Sequence, residues 1–221
     1  PYIQANWAID RWTLQAGLRH STMQMDVDDQ FLSNGDASGN KTYQKNTPSL
    51  SVMYAFTPNL HGYVSAGKGF ETPTQAELAY APGDIEGFNF DLKPSTSKQY
   101  EIGLKARLGE GTRVNAAVFQ ITTEDELVIS GSKDGRNSYQ NAGRTLRRGF
   151  ELGVESQLSE HWSANLAYTR LQATYDSDFT SGSGTSLKQI DQGNYLPGVP
   201  QTSVFGELVW RPRDWVSTAL E

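Results

Sequence analysis

Long stretches of period-two alternation, joined by connections that are short and long in turn, constrain this chain more than any other feature. In Trp12-Thr13-Leu14-Gln15-Ala16-Gly17-Leu18-Arg19, apolar side chains alternate with small or polar ones. The same pattern runs through Tyr100 to Leu108, Phe150 to Glu155 and Trp162 to Tyr168, and less cleanly from Leu50 to Phe56. Successive strand side chains point to opposite faces, so each stretch has one apolar and one polar or small face. No stretch carries a comparable helical stripe. The pattern predicts strands near 2–9, 12–25, 45–56, 60–68, 96–108, 112–123, 138–158, 162–175, 201–210 and 214–221. Tight turns are expected at Asp10-Arg11, Thr57-Pro58-Asn59, Gly109-Glu110-Gly111, Ser159-Glu160-His161 and Pro212-Arg213. Long polar loops are expected at 26–44, 69–95, 124–137 and 176–200, which puts every tight turn at one end of one sheet.

That asymmetry separates two β architectures. Sandwich strands are short and their loops show no end preference. Barrels of outer-membrane type have longer strands, short turns at one end and longer loops at the other. All five tryptophans (Trp7, Trp12, Trp162, Trp210 and Trp215) stand beside the predicted short turns, as an interfacial girdle would place them. A small aromatic core near hairpin ends is the alternative. Unbroken apolar runs reach only about five residues, far short of the roughly 20 that a helical span needs. The expected fold is all-β, a portion of an antiparallel up-and-down transmembrane β-barrel occupying 1–221 as one partial domain.

The chemistry of catalysis is missing from the pattern. The chain has no cysteine, which removes disulfides and thiolate sites. A net charge of −6 argues against a nucleic-acid partner. His20, His61 and His161 are scattered and open no zinc-hydrolase pattern. Gly67-Lys68-Gly69-Phe70 lacks the rest of a dinucleotide loop, and no nucleophile elbow occurs. The acidic runs at 26–29, 124–126 and 176–178 read as solvated loop charge rather than calcium ligands, and Met23 and Met25 as packing residues. No catalytic residue, metal site or cofactor is expected.

Four local patterns resemble the TonB-dependent outer-membrane receptors. They are Ala16-Gly17-Leu18-Arg19-His20; Tyr63 through Pro73 followed by Glu77-Leu78; Leu92-Lys93-Pro94 through Tyr100-Glu101-Ile102-Gly103-Leu104-Lys105; and Tyr139-Gln140-Asn141-Ala142-Gly143 with Arg148-Gly149-Phe150-Glu151-Leu152. Ser95 stands where the family usually has Glu. The resemblance implies uptake of iron–siderophore complexes or similar scarce ligands across the bacterial outer membrane. It also implies a 22-stranded barrel, an amino-terminal plug and coupling to TonB. On this reading the chain is an interior part of the barrel, without plug, TonB box or terminal strands. Residues 68–175 look closest to receptors for iron–citrate and pyrroloquinoline quinone. A general porin or adhesin barrel and a soluble β-sandwich module are the rival readings.

Two residue sets follow. Ile102, Leu104, Leu152, Val154 and Leu166 should face lipid, with Gln15, Arg19, Glu101, Lys105, Arg107, Glu151 and Glu155 on the lumen side. A receptor for an anionic chelate needs guanidinium forks and flat rings at its loop bases. The candidates are Tyr80, Phe88, Arg136, Tyr139 and Tyr195, each of which could instead order its own loop.

Overall fold

A computed structural model describes residues 1–33, 35–81, 87–133, 135–182 and 187–221. Each predicted long loop includes positions outside that set, namely 34, 82–86, 134 and 183–186. The wall of the molecule is a ten-stranded antiparallel sheet. It comprises β1 (Tyr2–Ile9), β2 (Trp12–Val27), β3 (Gly39–Thr57), β4 (Leu60–Glu71), β5 (Ser95–Leu108) and β6 (Thr112–Glu124). After two short strands, β7 (Leu127–Lys133) and β8 (Arg136–Asn141), the wall resumes with β9 (Arg144–Gln157) and β10 (Trp162–Tyr175). Two further short strands, β11 (Phe179–Ser181) and β12 (Lys188–Ile190), precede β13 (Thr202–Arg213) and β14 (Val216–Leu220). Wall neighbours follow chain order, and the pairs β7–β8 and β11–β12 stand apart as hairpins. No second sheet packs face to face on this wall among the described residues, which removes the sandwich reading.

Three expectations need correction. The single strand predicted at 138–158 is two: the chain leaves the wall at Ala142-Gly143, and β8 pairs with β7 inside the predicted 124–137 loop. The ladder of β6 to β9 ends at Glu124 opposite Arg144, and Asp125 turns away with φ of 57°. Period two continues through the break, so the pattern could not reveal it. The last turn lies at Asp214-Trp215 rather than Pro212-Arg213, because Pro212 falls within an irregularity between Trp210 and Arg213. A residue without an N–H fits a bulge better than a regular ladder. Finally, β3 begins at Gly39 rather than 45. Its ladder to β4 stops at Ser49 opposite Gly67, next to Pro48, while its pairing with β2 runs on to Val27 opposite Gly39. The β2–β3 hairpin therefore rises beyond the wall.

The faces fall as the alternation demands. Ile102 stands opposite Val64 and Val118, Leu104 opposite Ala116, Leu152 opposite Tyr168, and Leu166 opposite Val154. This face is apolar yet open: Ile102 is 61% exposed and Val204 65%. The other face carries Glu101, Lys105, Arg107, Glu151 and Glu155. Glu101 accepts a hydrogen bond from the Tyr63 hydroxyl at 2.5 Å, and Arg113 lies 3.8 Å from Glu155. The charge pattern is not a strict alternating ladder, since Arg107 stands opposite Arg113. This face is crowded: the Tyr63 ring covers Gly103 and the Phe119 ring covers Gly149, leaving no room for a Cβ at either position.

The apolar band crosses the hydrogen-bonded rows diagonally. Its aromatic edge is Trp162 opposite Trp210 on β10 and β13. One row further, Ala164 aligns through Ser156 and Thr112 with Leu108, the end of β5. The next row, from Leu166, reaches Leu60 at the start of β4, and the one after, from Tyr168, reaches Trp12 on β2. The polar edge climbs in parallel, from Arg170 on β10 to Arg148 on β9, Lys98 and Lys68 on β5 and β4, and His20 on β2. A shift of three rows over six strand steps is about 20 Å along the strands for about 29 Å across them, a slope of about 35°. Barrel strands tilt by 35–45° from the axis, so a horizontal membrane drawn on tilted strands gives this diagonal. From Trp162 to Arg170 the band spans about 27 Å of strand, or about 22 Å of height, near the roughly 25 Å expected of an outer-membrane barrel.

Candidate ligand-binding surface at the long-loop end

The long loops are where the molecule builds a water-style core. Tyr43, Leu78, Leu92, Ala142, Ala173 and Tyr175 are buried there, and only Val209 is a buried apolar residue elsewhere among those described. The connection from β4 to β5 contains the helix α1 (Gln75–Leu78), closed by a capping box in which Thr74 and Glu77 satisfy each other's backbone N–H groups. Leu78 is 1% exposed, and α1 packs against β8. The Tyr43 hydroxyl on β3 donates to the Leu92 carbonyl at 3.0 Å, and burial raises its pKa.

Side chains knit three connections together. Asn141 accepts the Lys93 N–H through Oδ1 and donates through Nδ2 to the carbonyls of Lys93 and Asp125, each at 2.9 Å. Asn89 Nδ2 donates to the Tyr139 carbonyl at 3.3 Å. The β11–β12 hairpin is held by Gln140 donating to the Thr180 carbonyl at 2.6 Å and Ser181 donating to the Ile129 carbonyl at 3.0 Å. Beneath this junction, Arg147 forks onto Glu126 at 2.7 and 3.1 Å, and Thr145, fully buried, donates to the same carboxylate at 2.8 Å. Burial pushes the Glu126 carboxyl upward, but the bonds from Arg147 and Thr145 outweigh it and hold the pKa below its ordinary value.

Two of the five candidates meet directly. The Arg136 guanidinium lies 5.2 Å from the centroid of the Tyr80 ring, joining β8 to the chain after α1. A planar cation on an aromatic face keeps its edge donors free for a carboxylate. Tyr80 is 40% exposed and Arg136 is exposed. Tyr139 is half-buried, and its carbonyl accepts from Asn89 in the connection from β4 to β5. Phe88 stacks on Phe90 at 5.8 Å, and the Phe90 ring lies against Gly39, so this pair seats its loop on β3. Tyr195, 51% exposed, bridges to Thr174 near the end of β10. Asn141 lies in one of the four family patterns, though nothing there shows it as a clasp, and Glu126, expected as solvated loop charge, is instead partly buried against Arg147, a pairing at which the alternation does not hint. The one available signal was Arg147-Arg148, where alternation must send one cation to each face. Among the described residues no group of three or more His, Asp or Glu is placed to hold a metal ion.

A family model for the TonB dependent receptor-like β-barrel matches residues 1–219. The chain belongs to the TonB-dependent receptors. Among relatives of this family, it is 27% identical over 185 residues to the metal-pseudopaline receptor CntO of Pseudomonas aeruginosa strain UCBPP-PA14, covering 82% of this chain and 25% of that one. It is 25% identical over 169 residues to the ferrioxamine receptor of Yersinia enterocolitica, covering 76% and 22%. The solved siderophore receptor PiuA of Acinetobacter baumannii superposes with a TM-score of 0.75 at 20% identity, over 99% of this chain and 31% of that one. The copper transporter OprC gives 0.77 at 19% identity, over 99% and 34%. The chain spans about a quarter of the length of these two curated relatives. TonB-dependent receptors are outer-membrane receptors and transporters rather than enzymes, which sets aside the porin and adhesin readings.

Proposed function

We propose that the chain is an interior portion of the barrel of an energy-coupled bacterial outer-membrane receptor that takes up a metal chelate, a ferric siderophore or a ligand of similar chemistry. The observation that carries this reading is the family match over residues 1–219, on a chain whose long-loop end presents a guanidinium stacked on an exposed ring. Relatives named for metallophores and siderophores support the ligand class. In this reading β1 and β14, the two edges of the sheet, pair with the remaining strands of the barrel, since an unpaired backbone group in hydrocarbon costs several kcal/mol. Glu101 and Glu151 border one hollow on the lumen face and would meet cations of the receptor's own plug, which TonB acts upon. The long loops lie outside the cell and the tight turns in the periplasm. In the full-length protein, Arg136→Ala should weaken binding of the native chelate roughly ten- to a hundredfold, about 1.5–3 kcal/mol for one lost charge-assisted contact. A Tyr80, Tyr139 and Tyr195 triple substitution tests the rings. If both variants bind as wild type does, recognition lies elsewhere in the receptor. Cysteine labelling of intact cells checks orientation: Ser181→Cys should label and Asn59→Cys should not.

A further inference from the structure

The β7–β8 hairpin stands apart from the wall, yet it carries Arg136 at its tip. The chain leaves β6 through Asp125-Glu126 and enters β9 through Ala142-Gly143. Two backbone bonds close that base, from the Asp125 N–H to the Gly143 carbonyl at 3.0 Å and from the Ala142 N–H to the Glu126 carbonyl at 2.7 Å. They hold the two passing segments together but leave the angle between hairpin and wall open. Further bonds join Asn141 to Lys93, Asn89 to Tyr139 and Gln140 to Thr180. Those tie one connection to another, not to the wall. Among the described residues, the side-chain bonds that join the hairpin's base to a wall strand meet at the Glu126 carboxylate. Arg147 on β9 reaches both of its oxygens, at 2.7 and 3.1 Å, and Thr145 adds a third bond at 2.8 Å.

Arg147 and Thr145 share the inward face of β9 with Glu151, so Glu126 is drawn over the lumen rather than away from it. Their cross-strand neighbours on that face include Thr123, Ala173 and Tyr175, all buried. A partly buried ion pair adds little net stability over an apolar contact of the same size. What a two-bonded fork adds is an angle fixed together with a distance. The angle matters because the hairpin is a lever. From Leu127 to Lys133 it is about 20 Å long, so a tilt of about 10° at the base moves the tip by about 3–4 Å. The Arg136 guanidinium lies 5.2 Å from the Tyr80 centroid, and a cation–π contact is lost beyond about 6 Å. A hydrogen bond from the same guanidinium to a bound anion fails over a shorter displacement, about 0.5 Å. The base therefore governs the tip.

We infer that Glu126 and Arg147 are positioning residues for ligand recognition: their pair sets the tilt of the β7–β8 hairpin over the lumen, and with it the place of the Arg136 guanidinium. The inference rests on the reading of Arg136 as a ligand contact, and its test keeps the two apart. Spin labels on Ser132→Cys near the tip and Asn59→Cys in a tight turn of the wall report the tilt in the detergent-purified full-length receptor, since this chain has no cysteine of its own. Pulsed electron paramagnetic resonance should give one narrow distance distribution for the labelled protein. Glu126→Gln and Arg147→Gln should each broaden it or shift it by about 3 Å or more. The double variant should be no broader than either, because all three lose one interaction. Lys98→Gln, which breaks the exposed pair with Glu124 on the outer face of the wall, should leave it unchanged. Heat-modifiable gel migration establishes that each variant is folded. Binding of radiolabelled ferric citrate and ferrioxamine carries the effect to recognition. Glu126→Gln should weaken it about tenfold, as for a hairpin that holds its competent tilt a tenth of the time, and should weaken it no further in the Arg136→Ala background. The inference is overturned by an unchanged distribution in Glu126→Gln, by a loss of binding that persists in the Arg136→Ala background, or by full binding in Glu126→Gln where Arg136→Ala is weakened. If Arg136→Ala behaves as wild type does with both probes, the ligand reading fails and the distances alone decide whether the pair sets the tilt.

Discussion

The wall and the loop cap solve the burial problem in opposite ways. On the wall, apolar side chains face outward and remain exposed, as Ile102, Leu104 and Val204 do, and polar ones line the lumen. In the cap, apolar side chains are buried, as Leu78 and Leu92 are at 1% and 3% exposure, and polar groups hold the connections together from within. The difference follows from the two solvents. Lipid takes the apolar face of a strand at no cost but leaves no unpaired backbone group unpunished, so the wall is held by its ladders. Water satisfies backbone groups but drives apolar surface together, so the cap needs a core and specific side-chain bonds.

The strongest way to break this comparison is to put a charge on the lipid side. Leu104→Arg should cost about 2–4 kcal/mol if that residue lies near the midplane of the bilayer. Urea unfolding of the full-length protein in vesicles would read it, and an unchanged unfolding free energy would sink the face assignment. The cap should respond to a different insult. Glu126→Gln removes the charge under Arg147 and should cost about 1.5–3 kcal/mol, felt locally. Faster hydrogen exchange in residues 125–147, with the wall strands unaltered, is the expected sign. Acid sharpens the same contrast. The Glu126 carboxyl titrates below its ordinary value in the folded protein, so its contribution is complete above about pH 4.3, the unfolded value, and is lost as pH falls through the lower folded one. The cap should loosen there before the wall does. The smallest effect belongs to the girdle: Trp162→Ala removes a ring stacked on Trp210 at 5.8 Å and should cost about 0.5–1.5 kcal/mol beyond lost area. A shift in tryptophan fluorescence without loss of the folded band on a gel would accompany it.

Alternation alone determined which face each wall residue takes, because a strand's side-chain period is two whatever it pairs with. It also determined the end at which tight turns and tryptophans gather. Tertiary structure alone decided where the alternating chain leaves the wall. Residues 136–157 keep one rhythm across Ala142-Gly143, yet the first part pairs with β7 and the second with β6 and β10. Nor could the sequence announce that Asn141 would clasp Lys93, or that Arg136 would settle on Tyr80, since each pair joins residues dozens of positions apart. Period-two patterning specifies a face but is blind to the neighbour, and in the cap the neighbour is what matters.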